Sequence, residues 1–158
     1  MKRPWNIIDS PVYSLATYNQ SGFNMNICTY VTVISLKPKI YCLAIDPNTH
    51  TFTNIKKENR FVLQLLNIDN ISIVRTLGKK SGENYDKEKY LMKKDLITKW
   101  NNYDVLKNTN ATVELILKKH YKNIGDHDLF TFDIGKFKTY NEKNILTFQD
   151  LINNKIIL

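Results

Sequence analysis

Short apolar runs separated by polar turns dominate the hydrophobic pattern of this chain, and such a pattern is typical of β-strands. The run 40–45 is apolar at every position, so we expect both of its faces to be covered. Pro38 lies in the turn before it, where it removes no hydrogen bond between strands. The predicted strands are residues 13–19, a segment from Phe23, and residues 30–36, 40–45, 60–66, 111–124 and 127–141.

Helical patterns are fewer and shorter than the strand patterns. Residues 49–58 predict a short helix in which either Thr49 or Thr51 is the N-cap. A second helix is predicted over residues 69–77, and a short C-terminal helix near residues 148–155.

The segment 78–108 is polar and mixed in charge, and it predicts a functional loop with one helical turn and an extended stretch. No repeat or linker divides the chain, so one domain over residues 1–158 is expected. Successive antiparallel strands with two or three helices predict a mainly β protein, an antiparallel β-barrel with flanking α-helices.

The 158 residues are enough for a hydrophobic core. No stretch reaches the roughly 18 consecutive apolar residues of a membrane helix. Asp9 and Pro11 interrupt the basic N-terminal segment before an apolar signal core forms, so a cytoplasmic location without membrane attachment is expected. Cys28 and Cys42 lie in the apolar hairpin without metal-ligand spacing, and we expect buried, unreactive thiols in a reducing compartment.

The formal net charge of +8 raises the question of nucleic-acid binding. Only Arg3, Arg60 and Arg75 are arginines, although arginine is the preferred side chain for bidentate phosphate and base contacts. The lysines are scattered in pairs along the chain. A solvated basic surface is therefore the favoured interpretation, followed by a preference for small anionic ligands, and nucleic acid comes last.

Several enzyme classes lack their signatures in this sequence. There is no GxSxG, GxGxxG or Walker motif and no cluster with metal-ligand spacing, so no metal site is expected. His50, His120 and His127 lack the spacing of metal ligands, and we expect His120 to be a surface or partly covered residue.

Small polar groups and anion-friendly turns remain as candidate chemistry. Asn24, Asn26 and Thr29 lie at one end of the apolar hairpin, and the stretch 48–51 lies at the other, where a helix begins. The turn LGKKSGEN offers two glycines, two lysines and a serine, and GDH places a histidine just before a buried strand. Each turn taken alone is compatible with an ordinary cap or a solvated loop.

Four stretches, in this order along the chain, resemble the flavin reductase-like family, whose fold is an FMN-binding split β-barrel. They are NMNICTYVTVISLKPKIYCLAI, NTHTFTNIKKENRFVLQLL, LGKKSGENYDK and GDHDLFTFDIGKF. Together they extend over about residues 11–140, which is nearly the whole domain. Four pieces in the order of the family are more specific than any one of them.

The resemblance implies a strand segment that lines the flavin ring and ribityl chain, and two loops that meet the phosphate. The strand segment is Asn26, Ile27, Cys28 and Thr29, in which only Thr29 has a hydroxyl, so backbone contacts are expected to dominate. The phosphate loops are Asn48, Thr49, His50 and Thr51, and Lys80 with Ser81, which would meet the phosphate or the neighbouring subunit's flavin. His127 takes the position of a histidine that approaches the nicotinamide, and it is the candidate catalytic residue.

The activity implied by the resemblance is hydride transfer from NADH or NADPH to FMN in a homodimer with flavin sites at its interface. One alternative is an FMN-binding electron-transfer protein of the same fold without a productive nicotinamide site. The other is a basic nucleic-acid-binding β-barrel, which would expose aromatic residues along a basic face. The aromatic residues of this chain lie mainly inside apolar runs, and this disfavours the last alternative.

Overall fold

The computed structural model describes Met1 and residues 3–157 of the chain. Nine strands were assigned in the described residues: β1 Tyr13–Asn19, β2 Gly22–Met25, β3 Val31–Leu36, β4 Lys39–Ile45, β5 Arg60–Leu65, β6 Ile97–Trp100, β7 Tyr103–Leu106, β8 Ala111–Tyr121 and β9 Asp128–Thr139. The helices are α1 His50–Ile55, α2 Ile71–Lys79, α3 Lys87–Lys93 and α4 Phe148–Asn153. None of the described helices is long and apolar enough to span a membrane.

Seven strands form one antiparallel sheet in the order β2-β1-β5-β8-β9-β4-β3. β2 and β3 are the two edge strands of this sheet and are consecutive in the chain. The link between them forms backbone hydrogen bonds with β1 and with β4. Cys28 exchanges two backbone hydrogen bonds of 2.9 Å with Tyr13 of β1, and the Tyr30 carbonyl accepts from Ala44 of β4 at 3.0 Å. The link thus brings the ends of the sheet together, which confirms the predicted antiparallel barrel with flanking helices.

Alternating side chains of the sheet face two hydrophobic clusters. Leu15 of β1 belongs to the cluster inside the sheet near α1, while its neighbour Ala16 belongs to the cluster under α2, α3 and α4, and both are fully buried. β5 alternates in the same way, with Leu63 on one side and Val62 on the other. Burial on both faces explains why apolar residues follow one another without alternation at Leu15 and Ala16 in β1 and from Phe61 to Leu63 in β5.

Thr49 is the N-cap of α1, which confirms one of the two residues predicted for this position, Thr49 and Thr51. Its hydroxyl accepts a hydrogen bond from the Phe52 amide at 3.2 Å and donates one to the Asp46 carbonyl at 2.7 Å. The helix is shorter than the predicted 49–58, because the chain turns at Lys56 and enters β5 at Arg60. Capping and the turn before it therefore hold the start of α1 in a fixed position.

The predicted loop, single helical turn and extended stretch of residues 78–108 understated the regular structure in the second half of this segment. After the loop, α3 forms two turns of helix, and β6 and β7 then form a separate two-stranded hairpin. Asn101 and Asn102 make the turn of this hairpin with φ values of 45° and 67°. Asparagine tolerates this left-handed conformation better than most residues, so the turn is one that the sequence encodes.

The prediction that both faces of β4 are covered was wrong for the single chain. Only Leu43 and Ile45 of this strand are buried, and Cys42 is partly exposed, so the prediction of a buried thiol holds for Cys28 but not for Cys42. The neighbouring strand β3 is more open still, with Ile34 53% and Leu36 77% exposed. The hairpin of β3 and β4 therefore presents an apolar surface that the other described residues do not cover.

Candidate functional site

A crevice lies where three connections meet: the β2–β3 link, the β4–α1 turn and the loop after α2. It consists of two adjoining cavities that share Asn26, Ile27 and Thr49 in their walls. We call the first the polar cavity, of about 230 Å³, and the second the apolar-walled cavity, of about 300 Å³. All of the flavin-binding residues implied by the resemblance, and His127, line one or both of them.

The polar cavity is rich in hydrogen-bonding groups and lysines. Its walls include Asn24, Asn26, Asn48, Thr49, His50, Thr51, Lys79, Lys80, Ser81 and Lys87. His50 and Thr51 open α1, so their backbone N–H groups have no acceptor within the helix. This end of the crevice therefore combines open amide donors with positive charge, the surroundings that a phosphate ester requires.

A set of amide side chains fixes the wall between β2 and α1. Asn24 is buried and donates to the Thr51 hydroxyl at 3.4 Å, and Asn54 donates to Thr17 at 2.9 Å. The Asn26 side-chain oxygen accepts from the Leu15 amide at 3.1 Å. Since that oxygen is used, the amide NH₂ of Asn26 is the group left to donate toward a ligand.

The loop after α2 approaches the β2–β3 side of the crevice closely at Gly82. A side chain there would overlap the Asn24 side-chain oxygen and lie 2.8 Å from Cδ2 of His50. Ser81 accepts from the Glu83 amide at 3.2 Å, which leaves its hydroxyl proton for a ligand. The Lys80 ammonium lies 3.9 Å from the centroid of the Tyr85 ring, so a cation–π contact holds this lysine at the rim.

The apolar-walled cavity is lined by the link residues and by the end of β4. Its walls include Ile27, Cys28, Thr29, Tyr30, Ala44 and Ile45. Burial raises the pKa of the Cys28 thiol to about 12, so this sulfur stays neutral and unreactive near neutral pH. The amide N–H of Cys28 is already bonded to Tyr13, so the expected backbone contacts to a ligand fall to Ile27 and Thr29.

His127 lies at the open edge of the apolar-walled cavity, in the turn between β8 and β9. Its Nδ1 is 2.9 Å from the Asp126 carboxylate, and this hydrogen bond lowers the pKa of Asp126. The imidazole also meets the exposed Tyr30 ring edge-on, with centroids 5.3 Å apart. The structure thus places the candidate catalytic histidine beside the cavity, across from the polar end.

Several residues that line the crevice were not among the predicted site residues, and three of them shape its polar end: Asn24, Gly82 and Lys87. Asn24 is one of the small polar residues at the end of the apolar hairpin, and Gly82 lies in the turn LGKKSGEN. Both could therefore have been predicted from the sequence. Lys87 lies in the lysine-rich run DKEKYLMKK, where nothing distinguishes it from a solvated residue. Among the described residues, no group of three or more histidine, cysteine or acidic side chains is placed to hold a metal ion.

Comparisons with known proteins agree with the fold and with the character of the crevice. The profile of the family described as "Flavin reductase like domain" matches residues 5–151. The chain therefore belongs to this family, and the resemblance found in the sequence is confirmed. No curated protein matches the chain.

Solved structures share the fold at low sequence identity. An FMN-binding protein from Thermus thermophilus is 20% identical, with a TM-score of 0.75, and the match covers 92% of this chain and 79% of that one. Flavoredoxin from Methanosarcina acetivorans is 16% identical, with a TM-score of 0.73, and the match covers 95% and 78%. An NADH:FAD oxidoreductase from Streptomyces globisporus is 13% identical, with a TM-score of 0.72, and the match covers 87% and 79%. At these identities the matches establish the split-barrel fold.

Proposed function

We propose that this protein is an FMN-binding flavin reductase in which NADH or NADPH donates a hydride to the flavin. The single observation that supports this most strongly is the gathering of all the expected flavin-contacting residues around one crevice with a polar and an apolar-walled end. That division matches FMN, which has a phosphate at one end and an aromatic ring system at the other. The two cavities together fall within the usual volume range of ligand sites, roughly 300–1,000 Å³.

The polar cavity would hold the phosphate through the amides of His50 and Thr51, the Ser81 hydroxyl and the lysines. Each charge-assisted hydrogen bond is worth about 1.5–3 kcal/mol, so each contact contributes roughly ten- to a hundredfold in affinity. The Thr49 hydroxyl supports this arrangement indirectly, because it is used in capping α1. Its role is to keep the first turn of the helix in place.

The apolar-walled cavity would hold the isoalloxazine ring against Ile27, Ala44 and Ile45. When bound, FMN supplies the hydride acceptor, and the protein contributes orientation and exclusion of water. Asn26 and the amides of Ile27 and Thr29 are the donors available to the polar edge of the ring. His127, which lies beside Tyr30 at this cavity, would orient a nicotinamide over the exposed side of the cavity.

A homodimer accompanies this function, with β3 and β4 at the interface. Both strands are apolar and partly exposed in the single chain, and the β2–β3 link that lines the crevice runs directly into β3. A second copy on this surface would cover the hairpin and complete the outer side of the flavin site. The NADH:FAD oxidoreductase of Streptomyces globisporus, whose structure is a complex with NAD and FAD fragments, supports the choice of donor.

An FMN-binding electron-transfer protein is the second candidate function. It is favoured by the fold similarity to an FMN-binding protein and to flavoredoxin. In this case the crevice holds the flavin, but no nicotinamide is reduced or oxidised over it. A cytoplasmic location suits both functions, because reduced nicotinamides and protein electron donors are available there.

Anaerobic mixing with excess FMN and either NADH or NADPH distinguishes these functions. Catalytic amounts of protein should bleach the oxidised-flavin absorbance over many turnovers, while heat-denatured protein should not. The faster nucleotide identifies the donor. Flavin fluorescence quenching without bleaching would favour the electron carrier, and neither quenching nor bleaching would rule out both functions.

A further inference from the structure

Lys87 is a buried lysine at the boundary between two cavities. It is only 5% exposed, and it lines both the polar cavity and an outer cavity of about 410 Å³ between β2 and the loop after α2. Lysine is almost never fully buried unless it is paired. Among the described residues, however, Lys87 makes no ion pair, and the neighbouring acids are engaged elsewhere. Asp86 caps α3 at the Lys89 amide, and Glu88 accepts from the Phe23 amide.

Within the described part of the chain, the ammonium of Lys87 has one hydrogen-bond partner, the Leu77 carbonyl, at 2.7 Å. Leu77 lies in the last turn of α2, where carbonyls lack partners within the helix and carry the negative end of the helix dipole. An ammonium has three donors, and one carbonyl uses one of them. The side chain is therefore held at the wall of the polar cavity with two N–H groups still to be satisfied.

We propose that Lys87 is the buried cation that binds the phosphate ester of the flavin and makes the crevice prefer FMN over riboflavin. The inference rests on the proposed flavin-binding function and assigns one residue of that site. Burial lowers the pKa of Lys87 from its usual value of 10.5 to about 8, because the charged form has lost most of its water. A phosphate dianion restores the missing counter-charge in a place where screening by water is weak.

The other charged groups around the crevice are more exposed or already in contact with a neighbour. Lys79 and Lys80 are exposed, and Lys80 lies over Tyr85. The titratable and charged groups that line the two cavities with Lys87 are His50, Lys79, Lys80, Glu83, Tyr85, Asp86 and Glu88. Of these, none is a buried cation in contact with the polar cavity, so Lys87 is expected to contribute the largest share of phosphate selectivity.

The test compares FMN with riboflavin, which lacks the phosphate, in wild-type protein, Lys87→Met and Lys89→Met. Lys89 is exposed on the same helix and lines neither of these cavities, so Lys89→Met is the matched control. We expect Lys87→Met to weaken FMN binding about ten- to a hundredfold and to leave riboflavin binding unchanged. The control variant should bind both flavins like the wild type.

If the wild-type protein prefers FMN over riboflavin and Lys87→Met binds FMN with unchanged affinity, the assignment of Lys87 is overturned. The proposed function is then still intact. Wild-type protein that binds neither flavin would overturn the proposed function, and the inference with it. The two failures are therefore distinguishable in one set of titrations.

A pH series on the wild type tests the same idea even if Lys87→Met does not fold. Above pH 7 the FMN phosphate is already a dianion, since its second pKa is about 6. Binding of the phosphate raises the pKa of Lys87, so affinity should be constant between about pH 7 and pH 8 and should fall by up to tenfold per pH unit above that range. Riboflavin affinity should not fall in this way, because riboflavin has no phosphate to bind Lys87. Any other titrating group of the site would affect both flavins equally. Parallel profiles for the two flavins would overturn the inference.

Discussion

His120 and Asp128 tie the ends of β8 and β9 together, with Nε2 of the histidine 2.7 Å from Oδ2 of the carboxylate. The imidazole stacks on Phe130, with ring centroids 4.1 Å apart and planes 10° from parallel. The second carboxylate oxygen of Asp128 accepts from the Asn123 amide at 3.2 Å. One buried carboxylate therefore anchors both the end of β8 and the turn that presents His127 to the crevice.

Replacement of Asp128 by Asn should destabilise the protein at neutral pH. The hydrogen bond from His120 is the main cause that lowers the pKa of Asp128. Because the folded protein lowers this pKa, ionised Asp128 stabilises the fold above the ordinary carboxyl pKa of about 4. The stabilisation is lost as pH falls through the still lower pKa of the folded state. The melting temperature of Asp128→Asn should thus be below that of the wild type at pH 7, and the difference should shrink below about pH 4.

Asp95→Asn is the control for this experiment. Asp95 also forms an ion pair, with Lys107 at 2.8 Å, but its side chain is 91% exposed. Exposed pairs contribute about 0–1 kcal/mol, so the control should melt close to the wild type at both pH values. Equal melting temperatures for Asp128→Asn and the wild type at pH 7 would contradict an anchoring role of Asp128.

The strands of the large sheet were predictable because short-range patterns encode them, and the resemblance to the family indicated the residues that line the crevice. β1 and β5 carry apolar residues on both faces, and the Asp46–Thr49 turn carries its own cap, so no distant residue is needed to recognise them. The β6–β7 hairpin was missed although Asn101-Asn102 is a favourable turn, because its strands are short and mixed in charge.

The burial of Lys87 could not be read from the sequence, because it depends on where α3 packs. Leu91 on the same helix is fully buried in the core, and Glu88 ties the helix to β2 through the Phe23 amide. These two contacts between distant segments bring Lys87 under the loop after α2. The exposure of β3 was unpredictable for a similar reason, since an apolar strand reads the same whether its own chain or a second copy covers it.

Gly82→Ala should weaken FMN binding while the barrel remains folded. The added methyl would overlap the side-chain oxygen of Asn24 and approach His50, so the loop would have to move out of the polar cavity. Such overpacking costs about 1–3 kcal/mol, which corresponds to roughly five- to a hundredfold in affinity. Fluorescence titration with FMN measures the effect.

Gly125→Ala is the matched control, because no described residue beyond its two chain neighbours comes within 4 Å of a Cβ at this position. It should bind FMN like the wild type and melt at the same temperature. Unchanged FMN affinity in Gly82→Ala would mean that the loop after α2 takes no part in flavin binding.

Ile34→Glu should convert a dimer of this protein into a monomer. Ile34 is 53% exposed on β3, and in the proposed dimer it would be buried against the second copy. Each buried and unpaired carboxylate costs about 3–5 kcal/mol, and a two-fold dimer would contain two of them. Light scattering coupled to size-exclusion chromatography should report half the mass of the wild type.

Met92→Glu serves as the control for the dimer experiment. Met92 is 57% exposed on α3, away from β3, so a charge there should leave the mass unchanged. A monomeric wild type, or a dimer that survives Ile34→Glu, would place the contact on another surface.

His127→Ala should slow flavin reduction by NADH and leave FMN affinity unchanged. The imidazole lines the apolar-walled cavity beside Tyr30, at the end away from the lysines, so it can contact the nicotinamide without contacting the phosphate. Loss of one orienting hydrogen bond predicts a decrease in kcat/KM for NADH of up to about tenfold.

Ile124→Ala, in the same turn but outside both cavities, controls for disturbance of the hairpin. If anaerobic stopped-flow traces of His127→Ala match those of the wild type, His127 does not position the donor. If neither protein reduces FMN while both bind it, the electron carrier becomes the favoured function, because the crevice then holds a flavin that receives its electrons from another protein.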